Sequence, residues 1–184
     1  MDDSMDPDKS PDLALDNLLV ALRQLHAEQA RKVLTEWQRS LPFGDYIVDR
    51  WERAASLGFG PGASIYDSAL VLGQVRIGEK TWIGPFTVLD GSGGLDIGAF
   101  CSISAGVQIY SHDTVAWALS GGTAPAERAP VSIGSRCYLG PNVVVSKGVR
   151  IGDGCVIGAN SLVNSDIPAG SRAWGTPARV IGLA

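Results

Sequence analysis

From about residue 63 onward, aliphatic residues recur at every sixth position, a spacing that fits neither an amphipathic helix nor an alternating strand. Ile65, Val71, Ile77, Ile83 and Leu89 hold the phase, which slips by two residues through the glycine-rich stretch DGSGG. It resumes at Ile97, Ile103 and Ile109, and again at Ile133, Leu139, Val145, Ile151, Ile157 and Val163. Glycine follows the aliphatic residue at Gly78, Gly84, Gly98, Gly134, Gly140, Gly152 and Gly158, as a tight corner with little room or a positive φ requires. Two residues before each aliphatic stands Val, Cys, Thr, Leu, Ala or Ser, so two positions per repeat can face inward. The pattern predicts an all-β solenoid of short strands. Cys137 and Cys155 fall at that inward position 18 residues apart, so they read as stacked core residues rather than as nucleophiles.

The phase is kept across the 24 residues from Ile109 to Ile133, yet Gly121 and Glu127 stand where aliphatics belong. The chain therefore leaves the solenoid here, in a Gly- and Pro-rich excursion over residues 114 to 130 that carries Trp117. Long loops on compact scaffolds are usually functional. His112, one of two histidines, sits three residues past Ile109, facing outward where the loop departs. Asp113 follows it, and adjacent residues on an extended chain point opposite ways, which suits Asp113 to a turn. No residue that would orient the ring is evident from the sequence.

Before the repeat, residues 1–9 are acidic and nearly free of apolar side chains, the composition of a disordered tail. Residues 10–60 read as a helical cap. Ser10-Pro11-Asp12 is a helix start, and Leu15, Leu18, Leu19, Leu22 and Leu25 follow at helical spacing until Ser40-Leu41-Pro42. A second helix is expected from Tyr46 to Leu57, and His26 in the first helix reads as structural or surface. Charged residues are 18% of the chain and the net charge is -4, with no basic cluster, which argues against nucleic acid as a partner. No stretch is apolar enough to cross a bilayer and no leader precedes the first helix, so a cytoplasmic location is expected. Three cysteines without ligand spacing argue against a disulfide framework and against a metal site.

The run VRIGEKTWIGPF through VSIGSRCYLGPNVVVSKGVRIGDGCVIGANSLV resembles the hexapeptide-repeat acyltransferases. That resemblance implies a left-handed parallel β-helix over residues 61–184, with N-terminal capping helices, the extruded loop and a C-terminal cap. CSISAGVQIYSHD followed by a loop, and the ending GTPARVIG, are similar to the members that acetylate sugars, such as the maltose and galactoside acetyltransferases. By that resemblance His112 is the general base, Trp117 and Asp113 lie on the acceptor side, and the protein is a homotrimer using acetyl-CoA without metal. Free imidazole, with a pKa near ~6.5, suits proton removal from an alcohol.

Carried over by position, Tyr138 and Gly140 lie near the thioester, Gly158 and Ala159 along the pantetheine arm, and Asn164, Ser165 and Arg179 toward the nucleotide. Many relatives have Thr-Lys where this chain has Asn164-Ser165, so Arg179, with Arg172 or Lys147, would supply the charge facing the CoA phosphates. Pro141 has no N–H to offer an oxyanion. Zinc-dependent relatives need three histidines and nucleotidyltransferase relatives need a preceding glycine-rich domain, and this chain has neither. An amine acceptor and a non-catalytic structural β-helix remain the alternatives.

Overall fold

The computed structural model describes residues 10–184, with side chains from residue 14. The expected acidic tail and the Ser10 cap lie outside the described residues. Two compact units are present, Met1–Ile47 and Val48–Ala184.

In the first unit, helix α1 (Ser10–Trp37) runs unbroken and helix α2 (Phe43–Ile47) folds back on it. His26 is structural, its ring packing on Phe43 and edge-on to Tyr46 at 5.5 and 5.2 Å between centroids. The Tyr46 hydroxyl accepts a hydrogen bond from the Leu41 N–H, which fixes the turn between the helices.

The single helix expected over Tyr46–Leu57 is two. Asp49 breaks it, because its carboxylate caps a new helix, α3 (Arg50–Ser56), accepting from the Trp51 and Glu52 N–H groups at 2.9 Å. This helix closes the N-terminal end of the solenoid: Ala54 is in the core, and the Arg53 guanidinium donates to the Tyr66 and Ala69 carbonyls.

From Ser64 the chain winds as a three-faced parallel solenoid. Face 1 stacks Ile65, Ile83, Ile103, Leu139, Ile157 and Ala173 in register. Face 2 stacks Val71, Leu89, Ile109, Val145 and Val163, and face 3 stacks Ile77, Ile97, Ile133, Ile151 and Ile167. One residue from each face makes a coil: coil 2 holds Ile83, Leu89 and Ile97, coil 3 holds Ile103, Ile109 and Ile133, and coil 4 holds Leu139, Val145 and Ile151. An antiparallel strand, Ala178–Leu183, pairs with Ser171–Gly175 at the C-terminal end.

Inside face 1, the residues two before the aliphatics form a buried column of Ala63, Thr81, Cys101, Cys137, Cys155 and Ser171. All three thiols are free and buried, and each points its sulfur at a carbonyl of the adjoining turn, Gly134, Gly152 or Pro168, at 3.1 Å. Hydrogen bonding to Cys101 and burial push the Cys137 thiol up, which suits packing and not nucleophilic attack.

The glycines after the aliphatics have a different cause from positive φ. A Cβ on Gly78, Gly98, Gly134 or Gly152 would lie 2.5 or 2.6 Å from the backbone nitrogen of the next coil, so close stacking alone excludes a side chain. The left-handed backbone comes two residues later, at Lys80, Phe86, Phe100, Arg136, Asn142 and Asn160 and at Gly106, Gly148, Gly154 and Gly170.

Candidate active site

Three consecutive coils build one site at the second edge, between faces 2 and 3. In coil 2 the DGSGG slip follows Leu89: the neighbouring strand pairs Gly73 with Gly91 but Val75 with Leu95, so extra residues bulge out of coil 2. In coil 3 His112 occupies the slot that elsewhere takes the left-handed corner. Its backbone is extended, and the two-residue strand His112–Asp113 pairs antiparallel with Glu127–Arg128. Between these strands the loop carries a short helix, α4 (Val115–Leu119), and closes on itself with Gly122 against the Trp117 ring. Coil 4 contributes Lys147.

The bulge turns Asp90 toward the histidine. Its carboxylate is fully buried and accepts from the Ser92 N–H at 3.0 Å and the Ser111 N–H at 2.9 Å, and it lies 2.5 Å from His112 Nδ1. Burial pushes the Asp90 carboxyl up, but hydrogen bonds from Ser92, His112 and the Ser111 backbone outweigh it and hold the group at about 2, against an ordinary 3.8. An ionised carboxylate only accepts, so Nδ1 carries the ring proton and Nε2 is the basic nitrogen. The His112 side chain is 31% exposed, enough for a substrate to reach it. Ser111 Oγ accepts from the Gly93 N–H at 2.8 Å, and a Cβ on Gly93 would lie 2.4 Å from the Ser111 carbonyl, so the slip needs glycine there.

Asp113 turns away from the ring. One oxygen accepts from the Val115 N–H at 3.1 Å, and the other meets the Lys147 ammonium. Lys147 also binds Glu127 at 2.7 Å, so both of its carboxylate partners lie at the loop neck. Lys147 holds the Asp113 carboxyl below its ordinary range, the Val115 N–H adding to this, and the two carboxylates raise Lys147 in turn. Trp117 is half exposed on α4.

The residues carried over for the CoA arm are not together on one chain. Tyr138 stands exposed on face 1, and Gly140, Gly158 and Ala159 lie at the first edge, between faces 1 and 2. Packing accounts for both glycines, since a Cβ on Gly140 would lie 2.7 Å from Ala159 N and one on Gly158 2.8 Å from Trp174 Cβ. Asn164 and Ser165 are exposed at the second edge, the one that carries His112, and Arg179 is exposed on the terminal strand. Among the described residues no group of three or more His, Cys, Asp or Glu is placed to hold a metal. Nor is any helix among them long and apolar enough to cross a membrane.

Residues 130–165 match the model of the bacterial transferase hexapeptide family, a model of six repeats. Over those residues the chain is similar to the hexapeptide-repeat family. A solved hexapeptide-repeat-containing acetyltransferase from Vibrio cholerae is 28% identical, covering 89% of this chain and 92% of that one, with a TM-score of 0.62. A maltose O-acetyltransferase from Clostridium difficile 630 is 26% identical over 92% of this chain and 90% of its own, with a TM-score of 0.60. These likenesses make the solenoid a left-handed parallel β-helix. Among curated proteins, a 2,3,4,5-tetrahydropyridine-2,6-dicarboxylate N-acetyltransferase of Staphylococcus aureus (strain JH9) is 36% identical over 63 residues, 34% of this chain. That match spans only 26% of the relative's length.

Proposed function

We propose that this protein transfers an acetyl group from acetyl-CoA to a hydroxyl of a sugar or glycan precursor, with His112 as general base. The observation that carries the reading is the buried Asp90 carboxylate on His112 Nδ1, at the edge where the loop leaves the solenoid. His112 Nε2 takes the acceptor proton as the oxygen attacks the thioester carbonyl. When the tetrahedral intermediate collapses and the C–S bond breaks, the imidazolium returns that proton to the departing thiolate. Asp90 stays ionised throughout and stabilises the imidazolium. The Vibrio cholerae relative has been solved in complex with acetyl-CoA, which supports the donor.

An amine acceptor is the second reading, favoured by the likeness to an N-acetyltransferase over 63 residues. The same base serves it, removing a proton from nitrogen instead of oxygen. Trp117 offers an apolar face to a sugar ring in either case. Location in the cytoplasm belongs to the same reading.

A homotrimer would account for the split of the CoA-arm residues between two edges. In a homotrimer the first edge of one chain lies against the second edge of its neighbour, so Tyr138, Gly140, Gly158 and Ala159 meet the partner's counterpart of the His112 edge. Asn164, Ser165 and Arg179 then take the nucleotide end. A monomer by light scattering at micromolar concentration would overturn this assembly.

The experiment is thiol release from acetyl-CoA over a panel of sugars, nucleotide sugars and amino sugars. His112→Ala is expected to lower kcat by roughly 10²–10⁴ with CoA affinity unchanged, and His26→Ala to leave both alone. Turnover by His112→Ala above a tenth of the unsubstituted protein's excludes the histidine as base.

A further inference from the structure

Lys147 touches no part of the Asp90–His112 pair, yet it joins both ends of the loop that starts there. It stands two residues past Val145 at the second edge of coil 4, one coil beyond His112, with its side chain 25% exposed. Asp113 and Glu127 are directly opposite in the antiparallel pair at the loop neck, an arrangement in which like charges repel. The Lys147 ammonium sits on both carboxylates. Directly behind it, the Gly148 N–H donates to the Ala129 carbonyl at 3.2 Å and the Ala129 N–H donates to Ser111 at 2.9 Å, so the returning end of the loop is knitted between coils 3 and 4.

We propose that Lys147 is a positioning residue for His112, tying the two ends of the loop neck together and cancelling the carboxylate charge that would otherwise act on the ring. This rests on the reading of His112 as the base. The charged and titratable groups carried by the elements packed around the ring are Asp90, Asp113, Glu127, Arg128 and Lys147. Asp90 acts on the ring alike in the parent and in the variants below, and Arg128 and Lys147 stand against Asp113 and Glu127. Removing Lys147 leaves one negative charge unopposed within a few residues of the imidazole, and an uncompensated negative charge favours the protonated ring. It also lets the paired carboxylates push the neck apart.

The chain's two histidines make the test direct. In a His26→Ala background, the imidazole resonance of His112 is followed against pH by NMR, with no acceptor needed. Lys147→Met is expected to raise the pH of half-titration, and Lys147→Arg to restore it. Glu127→Gln removes a negative charge and is expected to move the midpoint the opposite way, which keeps the test open if Lys147→Met folds poorly. Faster amide exchange at Ala129 in Lys147→Met would accompany the loosened neck. A Lys147→Met midpoint equal to that of the parent overturns the proposal, as does a Glu127→Gln shift upward. Failure of the base reading is separate, because it appears as turnover retained by His112→Ala whatever the midpoints do.

Discussion

The second edge of the prism and the other two are built from the same repeat and come out differently. At the first and third edges the left-handed corner recurs three residues past the aliphatic, at Phe86, Gly106, Asn142 and Asn160 and at Lys80, Phe100, Arg136, Gly154 and Gly170. At the second edge the corresponding positions in coils 2 to 4 are Ser92, His112 and Gly148, and only Gly148 keeps the left-handed corner. Where corners repeat, each coil supports the next and the backbone is fully specified. Where they fail, the freed backbone presents a buried carboxylate, a histidine and a lysine from three successive coils. Regularity provides the rigid frame, and its local suspension brings these polar side chains together.

The largest effect that would break this contrast lies at the irregular edge. Asp90→Asn keeps the shape of the side chain but no longer fixes the proton on Nδ1, so kcat is expected to fall by roughly 10²–10⁴, while near-unchanged thiol release would show that the carboxylate only supports the slip. Next comes the regular edge: Gly98→Ala places a Cβ 2.6 Å from the Ser135 backbone nitrogen and is expected to cost about 2–4 kcal/mol in denaturant unfolding without lowering the rate of the folded fraction.

A smaller effect is pH-dependent. The Asp90 carboxyl is depressed from 3.8 to about 2 in the folded protein, so its stabilising contribution is present above pH 3.8 and is lost as pH falls from there to about 2. The stability gap between the parent and Asp90→Asn should therefore shrink between pH 5 and pH 2.5 in urea titrations; a constant gap would mean that the carboxylate titrates normally. Smallest is Phe86→Asn. Phe86 has φ of 58° and is 61% exposed, so asparagine, which tolerates that backbone, is expected to gain about 0.5–1 kcal/mol, and a loss would assign the ring a packing role.

The solenoid was legible because a period of six leaves few alternatives, and the inward stacking of Cys137 and Cys155 followed from the same count. His112 was legible because the repeat fails beside it. Asp90 was not, since the slip reads as a flexible glycine-rich loop and the two residues stand 22 apart in sequence. The usable signal was that the slip and the excursion fall at the same edge of adjacent coils. Arg172 or Lys147 was read as assisting Arg179 because sequence shows charge and not the two carboxylates that Lys147 meets. The glycines after the aliphatics were predicted for the right positions on an incomplete ground, since stacking distance between coils is invisible in one chain's local pattern. Asp49 likewise divides what apolar spacing made one helix.

The two-residue pairing of His112–Asp113 with Glu127–Arg128 gives the excursion a stem, and everything distal to it, residues 114 to 126, is relieved of keeping the solenoid in step. Such a segment behaves as a cassette. A different hairpin could be spliced onto the same stem without moving a single rung of the scaffold or the Asp90–His112 pair beneath it.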